Sequence, residues 1–214
     1  MNNCKLCQHP LPPDNLQFEK DKRHYFFCST CFLIQVTPQE YPSREQAIKR
    51  YNHHIKGAGN KGHIHFLHQA INPTLPFMSS GNKCLDYGCG PVPTLPCILS
   101  PLGFFCDIFD PYYNFSQEKE TCVHHVFCLE TAEHFFEPNK EFEHLFELIL
   151  PGGTLTLMTE WYENLEQFST WSYKRDITHV VFYHQKTMEY IANRYKVPLV
   201  YSDHERVAVF KKNL

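Results

Sequence analysis

Hydrophobic and polar positions change rhythm twice along the chain. From Met1 to about Gln35 apolar residues are sparse: "HPLPPDN" follows one cysteine pair, and the short strand "HYFFC" leads into another. A unit with so little apolar surface does not fold unaided, so a staple is expected. Residues 36–80 have helical spacing and many histidines. "SREQAIKRYNHH" offers Ser43 as N-cap and Glu45 in the first turn, and "HIHFLHQAI" resumes as a second helix after the break "KGAGNKG". From Cys84 onward short apolar runs alternate with helical periods. "KCLDYG", "FFCDIFD", "VHHVFCLE" and "TLTLMTEWY" predict strands, while "TLPCILSPLG", a helix weakened by its prolines, and "PNKEFEHLFELI", opened by Pro138 and ending before "LPGG", predict helices. "QKTMEYIANRY" is a last helix, with "LVYSD" and "RVAVFKK" as closing strands. This alternation argues for a parallel α/β sheet to which the final two strands add an antiparallel edge. The expected division is a cysteine unit over 1–35, a helical linker or lid over 36–80, and an α/β core over 81–214, with no internal repeat or low-complexity segment.

The 214 residues, 43% of them hydrophobic, suffice for one substantial core and a small appendage. A formal net charge of −3 provides no global basic field, which disfavours a nucleic-acid substrate without removing a local patch from consideration. No run approaches the roughly 18 apolar residues of a membrane span. "MNNCKLCQHP" lacks the charged and apolar regions of a leader, so a soluble protein of the cytoplasm is expected, with no membrane partner.

Of the ten cysteines, four form two CxxC pairs, Cys4 with Cys7 and Cys28 with Cys31, separated by twenty residues; the other six scatter through apolar stretches. Two thiolates on each of two knuckles can close a tetrahedron about Zn²⁺. With all four positions supplied by protein, that zinc would hold the fold rather than activate water. Neither pair opens a helix after a strand, as a thioredoxin-like redox motif would.

After the strand ending at Asp86, "DYGCG" bends the chain where glycine permits close approach of a ligand, and about twenty positions on Asp110 ends the next strand, where a ribose diol is gripped in nucleotide folds. Pro91-Val92-Pro93 breaks the GxGxxG spacing of dinucleotide dehydrogenases. The order of these motifs resembles class I S-adenosylmethionine-dependent methyltransferases: "LDYGCGP" is similar to their first motif, "FDPYY" to their second, "CLETAEHFFEP" to the segment after their fourth strand, and "LPGGTLTLMTE" to their fifth strand. The resemblance runs from about Cys84 to the C-terminus and implies a Rossmann-like sheet. It further implies that Asp86, Gly88 and Gly90 line the methionine end of the cofactor, that Asp110 receives the ribose hydroxyls with Pro111 and Tyr112 beside the adenine, and that Glu130 and the Glu133-His134 pair sit at the methyl-transfer end. The competing reading of Glu133 is a solvated carboxylate at a helix start. Two departures stand out. Only about a dozen residues separate Asp110 from Val123, where the family usually fits another strand and helix, and His125 stands where the family often has an acidic residue. With its cysteine-rich front and "WSYKRDITHVVFY", the chain further resembles a bacterial group of zinc-ribbon methyltransferases, some relatives of which methylate carbons of nucleotide-linked deoxysugars.

On the acceptor side the candidates are His179 in "RDITHVVFY", as base or acceptor-positioning group, and His54 in the helical lid. The competing reading of Thr178 and His179 is a buried hydrogen-bonded turn; Trp161, Tyr162, Trp171 and Tyr173 are candidates to floor an acceptor pocket or to pack against the sheet. His63, His65 and His68 lack a specific metal spacing. The sequence carries neither the Asn-Pro-Pro-aromatic motif of adenine N6 enzymes nor a Pro-Cys nucleophile after the fourth strand, since Pro96-Cys97 falls in the first helix. A small-molecule acceptor is expected. A zinc-ribbon RNA methyltransferase and a non-catalytic cofactor-binding interaction module remain as alternatives.

Overall fold

The computed structural model describes residues 3–14, 16, 22–53, 59–113 and 122–214. The candidate His54 lies outside them. Strand β1 (Tyr25–Phe27), β2 (Ile34–Val36), helix α1 (Arg44–Asn52) and α2 (Lys61–Thr74) precede the core. The core runs β3 (Lys83–Tyr87), α3 (Leu95–Leu99), β4 (Phe105–Phe109), β5 (Val123–Leu129), α4 (Pro138–Glu147), β6 (Ile149–Met158), α5 (Leu165–Thr170), β7 (Val181–Phe182), α6 (Gln185–Tyr195), β8 (Leu199–Ser202) and β9 (Val207–Lys211). Ser43 caps α1 in a full capping box with Gln46, which satisfies two main-chain donors at the helix start.

Six strands form the main sheet in the order β4-β3-β5-β6-β9-β8. The four from β4 to β6 are parallel; β9 is antiparallel to β6, and β8 to β9. Among the described residues no strand pairs with the outer edge of β4; most of the short connection after Asp110 lies outside them. Alternate residues of each strand feed opposite faces. Leu85, Val126, Cys128 and Leu155 pack with Phe142, Leu145, Met188 and Ile191 of α4 and α6. Cys84, Phe127, Leu129 and Met158 pack with Leu67, Ile71, Leu95 and Leu99 of α2 and α3 on the other face. His125, in place of the family's acidic residue, is a satisfied core histidine: its ring nitrogens meet Thr154 Oγ1 at 2.8 Å and Asn82 Oδ1 at 2.9 Å, and burial pushes its pKa down to about 4.

The cysteine unit shares its core and a sheet with the rest of the chain. Leu6, Leu11, Phe26 and Leu33 belong to the same apolar cluster as α4 and α6. Strand β2 pairs on one side with β1 and on the other with β7, joining the N-terminal unit to residues that follow α5. Tyr162 Oη donates to the Phe32 carbonyl, and Lys5 forms an ion pair with Glu137 at the start of α4. The unit is therefore built into the α4/α6 face.

The strand β6 begins earlier than the "LPGG" turn signal suggests. Gly153 sits so close to β5 that a Cβ there would lie 2.1 Å from the His124 carbonyl oxygen, and the pairing shifts register between Val123 and His125. Close approach of a neighbouring backbone, and not a chain reversal, is what this glycine serves.

Candidate active site

At the carboxyl ends of the parallel strands, the position that α/β sheets reserve for ligands, lies a cleft of about 1120 Å³. Two groups of residues line it, one on the turns after β3 and β4, the other on the turn after β5 and the segment before β7.

In the first group the glycine turn is fixed from both sides. Gly88 N and Cys89 N donate to the Phe109 carbonyl at 2.8 and 3.1 Å, and Gly90 N donates to Asp110 Oδ2 at 2.9 Å. Gly88 has φ +85°, and a Cβ there would stand 2.2 Å from Thr131 Cγ2. Gly90, at φ +66°, faces open space. The two glycines thus do different things: Gly88 admits the side chain of Thr131, and Gly90 leaves main chain bare beside the cleft. Gly88→Ala is expected to cost about 2–4 kcal/mol of stability, from the left-handed backbone and the collision together. Adding Thr131→Ala recovers part of that loss, which urea unfolding of the single and double variants would measure.

Asp110 directly follows β4, with both carboxylate oxygens already accepting main-chain N–H groups, Oδ2 from Gly90 and Oδ1 from Tyr112 at 2.8 Å. Each oxygen keeps another lone pair, so a vicinal diol can still be received. Helix α1 closes over this turn: Arg44 Nη2 donates to the carbonyls of Pro111 and Tyr112 at 2.9 and 3.2 Å, and its guanidinium lies 5.0 Å from the Tyr112 ring centre.

Asp86 also lines the cleft, nearly buried at the end of β3. Burial, with the charge of Asp110 added, raises its pKa from 3.8 to about 7. Between those two values the folded chain keeps a proton that the unfolded chain releases. The protonated carboxyl therefore stabilises the fold fully below pH 3.8, and that contribution is lost as pH rises through 7. Asp86→Asn is expected to raise the unfolding midpoint at pH 8 by several degrees, on the order of 5 °C, with no gain at pH 4. The same substitution should weaken binding of a cofactor that brings an ammonium to this carboxylate; thermal melts at the two pH values and a cofactor titration check both halves.

Glu130, also at the cleft, has φ +51° just after β5, while its N–H donates to the Met158 carbonyl at 2.7 Å. A non-glycine residue held in the left-handed region marks a turn that the surroundings over-determine.

The second group centres on Glu133, which is 1% exposed and so is no solvated helix-start carboxylate. Tyr173 Oη donates to Glu133 Oε1 at 2.7 Å. His134 donates from Nδ1 to the Thr178 carbonyl, and His179 from Nδ1 to the Tyr173 carbonyl, both at 2.8 Å. Both rings therefore present Nε2 as the second nitrogen. Burial pushes the His179 pKa down to about 4, so the ring is neutral at working pH. The turn reading of Thr178 and His179 holds alongside this: Thr178 N and Oγ1 both donate to Asp176 Oδ1, at 3.0 and 2.6 Å. Of the aromatics singled out in the sequence, Tyr173 lines the cleft, whereas Tyr162 and Trp171 pack in the small core around β7.

Residues of α1, expected from the sequence to fold across the cleft, and one of the N-terminal unit join the groups. Tyr51 of α1 has its ring centre 5.2 Å from those of both Tyr112 and His134, and its neighbour Arg50 donates from Nε to Asp176 Oδ2 at 2.8 Å. Arg23 of the N-terminal unit donates to the carbonyls of Lys174, Asp176 and His179 at 3.1, 2.9 and 2.6 Å. In the sequence Arg23 stands in a run of charges indistinguishable from a solvated face, and only the long-range fold shows what it grips.

Cys4, Cys7, Cys28 and Cys31 come together with all four sulfurs within 4.8 Å of one another. The Cys4–Cys31 and Cys7–Cys28 pairs are each 3.4 Å apart, too far for disulfides. Sulfurs at about 2.3 Å from a central ion would be separated by about 3.8 Å, so the cluster has the dimensions of a tetrahedral zinc site. Hydrogen bonds from the Cys31 and Cys4 thiols hold Cys28 well below its ordinary pKa, while the Cys28 interaction and burial push Cys4 up to about 12. A cation between them removes that competition and lets all four ionise.

A mixed α/β sheet whose parallel strands carry a glycine turn and a strand-end aspartate on one cleft has the Rossmann-like arrangement that receives nucleoside cofactors. The sequence matches the methyltransferase domain family over residues 51–196, more than half of the chain, and the protein belongs to that family as a class I S-adenosylmethionine-dependent methyltransferase. The four cysteines lie ahead of the matched span. No curated protein matches the sequence. Among solved structures, the fold is similar to a SAM-dependent methyltransferase from Archaeoglobus fulgidus, with TM-score 0.52 and 11% identity over 69% of this chain and 94% of that one. It is similar also to an O-methyltransferase family 2 protein from Planctomyces limnophilus in complex with apigenin, with TM-score 0.50 and 12% identity over 62% of this chain. The match spans half the length of the Planctomyces chain, and likewise 50% of the CurJ carbon methyltransferase, which aligns at TM-score 0.46 and 13% identity over 64% of this chain. Likeness at such identity speaks for the fold alone. Among the described residues no helix is long and apolar enough to cross a membrane.

Proposed function

We propose that the protein transfers the methyl group of S-adenosylmethionine to a small-molecule acceptor by in-line displacement, with zinc at Cys4, Cys7, Cys28 and Cys31 in a structural role. The observation that carries the reading is the pairing, in one partly enclosed cleft, of a nucleoside-binding turn at Gly88–Asp110 with a buried polar cluster at Glu133, His134 and His179. Bound cofactor supplies an electrophilic methyl group. The chain supplies position: Asp110 takes the ribose, Asp86 stands near the methionine end, and His179, neutral and braced through Nδ1, offers Nε2 to the acceptor. Holding the acceptor in line with the methyl is where such catalysis mainly comes from. Tyr51 and Arg50 bring α1 across the same space, which favours a compact acceptor over a polymer. The zinc unit contributes at a distance, since Arg23 grips three carbonyls of the segment that carries His179. A panel of hydroxylated and amino small molecules, with tRNA and rRNA in parallel, tests this using labelled S-adenosylmethionine. Salt-insensitive transfer to a small molecule supports it. Salt-sensitive transfer to RNA alone would replace the acceptor class, and tight cofactor binding with no transfer would favour an interaction module.

A further inference from the structure

Of the two oxygens of Glu133, Oε1 accepts from Tyr173, while Oε2 is buried and has no hydrogen-bond partner among the described residues. A buried carboxylate oxygen left this way is costly unless a ligand completes it. Beside Glu133 stand His134, whose Nε2 is 3.9 Å from Glu133 Oε1, and His179, each with its Nδ1–H committed to a main-chain carbonyl and its Nε2 left as the lone-pair nitrogen. Metal-binding histidines are held in this manner, the second nitrogen fixing ring and tautomer. One donor atom from each of Glu133, His134 and His179 lies within 4.8 Å of the other two. Tyr173 braces two of the three, His179 by its carbonyl and Glu133 by its hydroxyl, which is itself 3.1 Å from Thr159 Oγ1. The next carboxylate, Asp176 Oδ2, is 4.0 Å from His179 Nε2 but is engaged by Arg50.

We propose that Glu133, His134 and His179 form a site for a divalent first-row transition cation, separate from the four-cysteine site and facing the acceptor part of the cleft. Two imidazoles and a carboxylate suit Fe²⁺, Co²⁺, Ni²⁺ or Zn²⁺, whereas Mg²⁺ and Ca²⁺ prefer all-oxygen sets. Three protein donors leave positions open for an acceptor hydroxyl, whose proton such a cation helps to remove. That use rests on the methyltransferase reading; the binding of the cation does not. In the transfer the hydroxyl proton passes to water, an oxygen lone pair forms the bond to the methyl carbon, and the electrons of the broken carbon–sulfur bond remain on sulfur as S-adenosylhomocysteine. With the cation in place His179 acts on the acceptor through it.

The test uses full-length protein already carrying zinc at the cysteine cluster, titrated with Co²⁺ by calorimetry and visible absorption. One further equivalent is expected, with no thiolate-to-cobalt bands in its spectrum. Glu133→Gln, whose amide oxygen can still accept from Tyr173, and His179→Ala are each expected to weaken it at least ~30-fold while cysteine-bound zinc is retained. Should His179→Ala fail to fold, Glu133→Gln decides alone. No second equivalent in the folded wild type, or one that Glu133→Gln leaves unchanged, overturns the site. S-adenosylhomocysteine is titrated into the same samples. Cofactor binding without a second cation rejects the metal site and leaves the methyltransferase reading intact; a second cation without cofactor binding does the reverse.

Discussion

Asp110→Ala is expected to weaken S-adenosylmethionine and S-adenosylhomocysteine binding by a factor of 100 or more while leaving the zinc content unchanged. Two ribose hydroxyls would lose a charged acceptor, at about 1.5–3 kcal/mol for each hydrogen bond. The same substitution frees the N–H groups of Gly90 and Tyr112, which now converge on that carboxylate, so the turn itself loosens. Asp110→Asn separates the two effects, because its amide oxygen can still receive one of the N–H groups. Calorimetric titration of both variants, with a melting curve for each, gives the comparison. An affinity within threefold of wild type for Asp110→Ala would mean that the ribose is held elsewhere.

Cys28→Ser, or removal of zinc by a chelator, is expected to lower the unfolding midpoint by about 10 °C or more. Structural zinc in small domains contributes roughly 10 kcal/mol of apparent binding energy, and the four-cysteine unit is continuous with the α4/α6 core. Below the lowered midpoint the loss should appear in turnover more than in cofactor affinity. The reason is geometric: Arg23 and the β2–β7 pairing hold the segment that carries Tyr173 and His179, whereas the glycine turn is fastened to Asp110, Phe109 and Thr131. Zinc content, melting temperature, cofactor affinity and single-turnover rate on the same preparations check this. Equal losses of affinity and turnover, or none, would detach the cysteine unit from the acceptor side.

The parts of this architecture visible in the sequence are those written locally. The apolar runs of β3, β4 and β5, the turn at Gly88 and Gly90, the aspartate closing β4, and the paired spacing of the four cysteines each depend on neighbours within a few residues. The shortness of the connection between Asp110 and Val123 could also be counted from the sequence. What stayed hidden depends on distant partners. Strand β7 is two residues long and exists because β2 pairs with it across some 145 positions. Gly153 resembles a turn residue but serves a tight strand crossing, which only the register against His124 reveals. Arg23, Arg50 and Thr131 act on groups 43 or more residues away, so no local pattern marks them. Glu133 was legible as a candidate, yet its burial and orphaned oxygen, the properties that give it chemistry, come from Tyr173 and the segment before β7.

Whether the cleft between the glycine turn and Asp110 holds the cofactor is decided by calorimetric titration of S-adenosylhomocysteine into zinc-replete wild-type protein. One saturable site per chain is expected, lost in Asp110→Ala, with added thermal stability on binding. Folded, zinc-loaded protein that shows neither heat nor stabilisation at millimolar ligand would contradict it.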